Sequence, residues 1–115
     1  DLQSVGLTDE TCQALLSTLT DEAHIERLLL QGNGLGVEAA RAVAAYTRVS
    51  GSLTYLSLGL NAIGAEGAKA IADALRVNGS LTKLDVSFQF PVLDDEAKTL
   101  LRDAAKDKSG FELLA

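Results

Sequence analysis

Tryptophan and methionine are absent from this 115-residue chain, which has one proline, one cysteine, one histidine and only 4% aromatics. Each scarcity excludes something. A lone Cys12 cannot form an intrachain disulfide, so nothing points to an oxidising compartment, and a cytoplasmic setting is the expectation. Cys12 and His24 together are too few ligands for zinc. No apolar run approaches the roughly 20 residues of a membrane helix, and no N-terminal segment reads as a signal peptide. Basic residues are outnumbered, ten Lys and Arg against sixteen Asp and Glu, for a net charge of −6. Nucleic acid is recognised mainly through phosphate contacts by basic patches, so neither it nor an anionic membrane is an expected partner. A protein with a basic surface is the better electrostatic match. The missing initiator Met leads us to expect a piece of a longer protein.

What is plentiful is Leu, Ile, Val and Ala, arranged in a repeat. Residues 33–56 (NGLGVEAARAVAAYTRVSGSLTYL) and 61–84 (NAIGAEGAKAIADALRVNGSLTKL) are identical at about half their positions when shifted by 28. Leu2, Leu30, Leu58 and Val86 form one column. Leu28, Leu56 and Leu84 form a second, and Ile25, Leu53 and Leu81 a third. Near the C-terminus the register slips by one. Ala97 stands in the place of Ala68, and Leu100 in that of Ile71, which puts an extra residue within Ser87–Leu93. The expected organisation is a single domain, 1–115. It comprises a partial first repeat (1–24), two full repeats (25–52 and 53–80) and a divergent C-terminal repeat with its cap (81–115).

Hydrophobic period changes inside each repeat. Leu28-Leu29-Leu30, Leu56-Ser57-Leu58 and Leu84-Asp85-Val86 are apolar at alternate positions, the strand signature. After an Asn- and Gly-containing turn, apolar residues recur at helical spacing: Ala40, Val43, Ala44 and Thr47, then Ala68, Ile71, Ala72 and Leu75. Ser50-Gly51 and Asn78-Gly79 follow, and a left-handed helix cap is expected there. Strand–helix units this short dictate a parallel sheet with helices on one side. One unit cannot bury its own apolar face, so the units must stack. The predicted fold is an α/β solenoid with strands on the concave face and helices on the convex face.

The run Leu53-x-x-Leu56-x-Leu58-x-x-Asn61-x-Ile63-Gly64-x-x-Gly67-Ala68-x-x-Ile71-Ala72-x-Ala74-Leu75 resembles the ribonuclease-inhibitor-like leucine-rich repeat. The resemblance extends over essentially the whole chain and weakens at its ends. It implies a horseshoe segment and a protein-binding role, as in ribonuclease inhibitors, NOD-like receptors and Ran GTPase-activating proteins. It also implies that Asn33 and Asn61 are structural, bonding turn backbone in a ladder between repeats, with Gly36 and Gly64 explained by the repeat. The first repeat departs from the pattern, with Val5 for Asn and Thr8 for Gly. The last has Phe90 or Gln89 near the Asn position. Gly110–Ala115 echoes Ser80–Asp85 and is expected to add a closing strand. The N-terminus begins in mid-strand, so an open edge there is expected to allow self-association.

Few residues invite chemistry, and most have a plainer explanation. Gly34-Leu35-Gly36-Val37-Glu38-Ala39 matches a dinucleotide fingerprint between a strand and a helix. However, Ala62–Gly67 repeats the stretch, and no acidic residue ends the next strand. Cys12 falls in the inward column of Ala40, Ala68 and Ala97 and reads as a buried small hydrophobe. Asp94-Asp95-Glu96 reads as a helix start. No catalytic, metal or cofactor residue is predicted, and the chain is not expected to be an enzyme. What remains is the strand face pointing away from the helices. It carries Arg27, Leu29 and Gln31, then Tyr55 and Ser57, then Lys83 and Asp85, with Arg27, Tyr55 and Lys83 in one column. Arg and Tyr are favoured in interface hot spots. A protein-interaction module is thus the leading expectation. A regulatory or effector segment acting on a GTPase or host enzyme is the second, and a nucleotide-binding enzyme fragment the third.

Overall fold

The computed structural model describes residues 6–18 and 25–115. Helices and strands alternate: α1 (Asp9–Thr18), β1 (Arg27–Leu29), α2 (Val37–Val49), β2 (Tyr55–Ser57), α3 (Gly64–Val77), β3 (Lys83–Asp85), α4 (Asp95–Ala105) and β4 (Glu112–Leu114). The strands form one parallel sheet in chain order, β1-β2-β3-β4. The helices pack side by side in the same order.

The core lies between these two layers. Leu28, Leu56 and Leu84 project from the strand centres, and Leu30, Leu58 and Val86 follow them; all are buried. The helices answer with Ala40, Val43, Ala44 and Thr47 from α2, and Ala68, Ile71, Ala72 and Leu75 from α3, also buried. Small residues set the helix spacing. A Cβ on Gly67 would lie 2.9 Å from the Cβ of Ala40 and 2.9 Å from that of Ile63, so α2 and α3 touch there. Cys12 occupies the matching place on α1 and is fully buried. Burial, then the nearby Asp9 carboxylate, pushes its thiol up to about 11.

A buried polar ladder joins the repeats at the turns after the strands. Asn61 Oδ1 accepts from the N–H groups of Asn33 (3.0 Å) and Leu35 (2.9 Å). Its Nδ2 donates to the carbonyls of Leu30 (3.1 Å) and Leu58 (2.9 Å). Asn33 accepts likewise from Leu7 N–H, at 3.1 Å. Gln89 is the next rung: its Oε1 accepts from Ile63 N–H (3.1 Å) and its Nε2 donates to Leu58 O (2.7 Å). Gln89, rather than Phe90, thus does the work of the repeat's Asn. Asn33, Asn61 and Gln89 are evenly spaced in sequence, so the extra residue enters after Gln89. Val5, the corresponding residue of the first repeat, lies outside the described residues.

A second ladder joins the return loops, and it corrects the predicted helix ends. Ser50 and Asn78 are extended (φ −77° and −81°), not left-handed. The Asn78 side chain instead reaches across to the end of α2. It donates to the carbonyls of Thr47 (2.7 Å) and Ser50 (3.1 Å) and accepts from the N–H groups of Ser80 (2.8 Å) and Leu81 (2.7 Å). Gly64, at the entry to α3, does need its glycine, with φ +70°.

The closing strand is present, one residue out of the expected alignment. Lys83 pairs with Glu112 and Leu84 with Leu113. Strand side chains alternate, so a one-residue slip exchanges the faces. Leu113 packs against the core and Leu114 faces out. The shift matches the slip between Ala68 and Ala97: one inserted residue displaces helix and strand together. The expected N-terminal strand and its open edge fall on residues 1–5, outside the described residues.

Candidate protein-binding face

Parallel pairing in register stacks equivalent residues into rows across the sheet. Arg27, Tyr55, Lys83 and Glu112 make one row; Leu29, Ser57, Asp85 and Leu114 make the next. Both rows lie on the side opposite the buried Leu28, Leu56 and Leu84, because strand side chains alternate.

The first row is linked from end to end. The Arg27 guanidinium carbon lies 5.3 Å from the centre of the Tyr55 ring, and Lys83 Nζ lies 4.9 Å from it. Lys83 Nζ is also 3.8 Å from Glu112 Oε1. Each cation–ring contact contributes about 0.5–1 kcal/mol at an exposed site. Their larger consequence is order. A half-buried Tyr55 held between two cations has little rotamer freedom left to lose on binding.

The second row is less uniform. Leu29 is half-buried and Leu114 exposed, leaving an apolar residue at each end. Asp85 Oδ1 accepts from Ser87 N–H at 2.9 Å and from its hydroxyl at 2.5 Å. That carboxylate leans toward Gly59, where a Cβ would come within 3.4 Å of it. Ser57 is a correction: it holds its place in register but is only 1% exposed. A short side chain flanked in the row by Leu29 and Asp85 is recessed below them, so it cannot be a principal contact. Gln31 is half-buried beyond the end of β1. Glu112 and Leu114 were missed as members of this face. The echo of Ser80–Asp85 at the C-terminus was the available signal, and its one-residue misalignment hid them.

The other candidates resolve into structure. Asp9 Oδ1 accepts from Gly36 N–H at 2.8 Å, and Oδ2 from Ala39 N–H at 3.3 Å. A carboxylate of α1 therefore already occupies the start of α2, where a pyrophosphate would have to sit. The N–H groups of Asn33 and Leu35 are engaged by Asn61. Asp94 caps α4, accepting from Ala97 N–H at 2.8 Å. His24 lies outside the described residues. Among the described residues no helix is long and apolar enough to cross a membrane.

A family model described as a leucine-rich repeat matches residues 50–72. No curated protein matches the chain in sequence. Among solved structures, the chain is similar to one titled leiomodin-1 actin-binding site 2. The TM-score is 0.89 at 20% sequence identity, over 99% of this chain and 67% of that one. At that identity the likeness is one of fold. The chain thus carries a leucine-rich-repeat signature at residues 50–72, within a fold matched along nearly its whole length.

Proposed function

We propose that the chain is a protein-binding module of the ribonuclease-inhibitor-like kind, the sheet lining the concave side of a horseshoe segment with repeats of about 28 residues. The observation that carries this reading is the Arg27–Tyr55–Lys83–Glu112 row. A tyrosine clamped between two cations is an ordered anchor on a face that no helix among the described residues covers. Arg27, Leu29, Tyr55, Lys83 and Asp85 form the proposed contact set, with Gln31 at its margin and Glu112 and Leu114 added. The net charge of −6 favours a partner with basic patches. The face itself mixes both signs, so the partner is proposed to present carboxylates toward Arg27 and basic groups toward Asp85 and Glu112. The proposed setting is the cytoplasm.

The likeness to an actin-binding site of leiomodin-1 makes monomeric actin the first partner to test. Titration of labelled monomeric actin with wild-type protein, and with Arg27→Ala/Tyr55→Ala/Lys83→Ala, tests partner and face together. Saturable binding lost in a triple variant that still folds is the expected result. Equal binding by both proteins would move the site off the strand face. Binding by neither would remove actin from the proposal.

A further inference from the structure

The turns after β2 and β3 carry an apolar patch that the strand face does not use. Leu60 is 59% exposed, Phe88 79%, Phe90 84% and Val92 75%. The four are neighbours across two repeats. Leu60 N–H donates to Ser87 O at 3.0 Å, and Phe90 N–H to Asn61 O at 2.9 Å. Leu60 and Phe88 are also the described residues other than glycine with positive φ, each at 57°. The same place one repeat earlier is Gly32, at φ 77°. The turn thus demands a left-handed residue that glycine supplies without strain, whereas a bulky L residue pays about 1–2 kcal/mol. Two large apolar side chains are thus held there in a strained backbone and turned mostly to solvent. Strain of this kind marks surfaces kept for contact.

Beside them is a cleft of about 260 Å³, lined among others by Val86, Phe88, Val92, Leu93 and Lys98. Val86 and Leu93 are buried and form its floor. Lys98 is the one charged side chain in the lining and makes no ion pair among the described residues. The nearby Asp94 is already engaged in capping α4. We propose that this cleft is a second docking site, for a protein segment that places an aromatic or branched apolar side chain against Phe88 and Val92 and a flanking carboxylate on Lys98. The occupant follows from complementarity: a largely apolar cleft whose wall also holds Ala115, and whose one charged side chain, Lys98, makes no ion pair among the described residues, suits an apolar group next to an anion. The proposal does not depend on the strand-face reading.

The probes are two acetylated, amidated pentapeptides, Gly-Asp-Phe-Asp-Gly and Gly-Asn-Phe-Asn-Gly, titrated into the whole isotope-labelled chain by NMR. The acidic peptide is expected to shift the amides of residues 86–90, Val92, Leu93 and Lys98, binding about two- to fivefold tighter than its amide counterpart. Lys98→Ala should erase that difference. Phe88→Gly should abolish binding while leaving the melting temperature unchanged or higher, since glycine relieves the positive φ. That combination separates docking from a structural role. Absence of shifts at those amides, equal affinity for both peptides, or a preference that survives Lys98→Ala would overturn the proposal. So would a wild-type dimer that Phe88→Gly dissociates, or Phe88-dependent binding to phosphatidylcholine vesicles, since a second copy or a lipid surface would then be the occupant.

Discussion

Replacing Asn61 by alanine should be among the costliest single changes at the described polar residues of this fold. The buried side chain accepts from two backbone N–H groups and donates to the carbonyls of Leu30, Leu58 and Gly59 in the turns after β1 and β2. Alanine removes all five bonds and leaves the backbone partners buried. Each net bond is worth about 1 kcal/mol, and a stranded group costs about 1–3 kcal/mol. Some partners will relax or admit water, so a loss of about 3–5 kcal/mol is expected. A 115-residue domain has a total stability of about 6–17 kcal/mol. The variant should therefore fold, with its melting point lowered by about 15 °C at roughly 4 °C per kcal/mol. Equilibrium urea unfolding measures the loss directly. Asn33→Ala, in a half-buried position, should cost less. A loss for Asn61→Ala below about 1 kcal/mol would mean that apolar packing alone joins the repeats, and would refute the ladder.

Gly67→Ala places a methyl 2.9 Å from Ala40 and Ile63; thermal unfolding should show a loss of about 1–3 kcal/mol from overpacking, although alanine is the better helix former. The Cys12 thiol, raised from 9.0 to about 11, should resist an aromatic disulfide reagent at pH 8 until the protein is unfolded in urea. A folded-state value above the unfolded one gives stability that is whole below pH 9.0 and is lost as the pH rises through about 11, so urea midpoints should fall across that window. Cys12→Ala should flatten that decline, leaving a fourth alanine in the column of Ala40, Ala68 and Ala97.

The repeat was legible because columns of identical residues carry it. Leu28, Leu56 and Leu84 could be assigned to the core, and Ala40 and Ala68 to the helix contact, from periodicity alone. The Asn33 and Asn61 positions followed from the resemblance, and the structure supplies their partners. Other features depend on backbone geometry that composition does not encode. The left-handed turns at Leu60 and Phe88 hold residues that normally avoid that conformation. Asn78 reaches across to the end of α2, and Asp9 caps a helix one repeat away. On the candidate face, alternation identified the members, but the recess of Ser57 depends on its larger neighbours. Glu112 and Leu114 were hidden by a single inserted residue, because a count off by one exchanges the two faces of a strand.

The face bearing Tyr55 is proposed to meet a protein partner. Photocrosslinking from p-benzoylphenylalanine tests it most directly, with the probe placed at Tyr55 and, in a separate protein, at Ala45 on the exposed side of α2. A discrete protein adduct is expected from position 55, weakened by Arg27→Ala/Lys83→Ala, and none from position 45. An adduct from position 45 alone would contradict it and assign recognition to the helices.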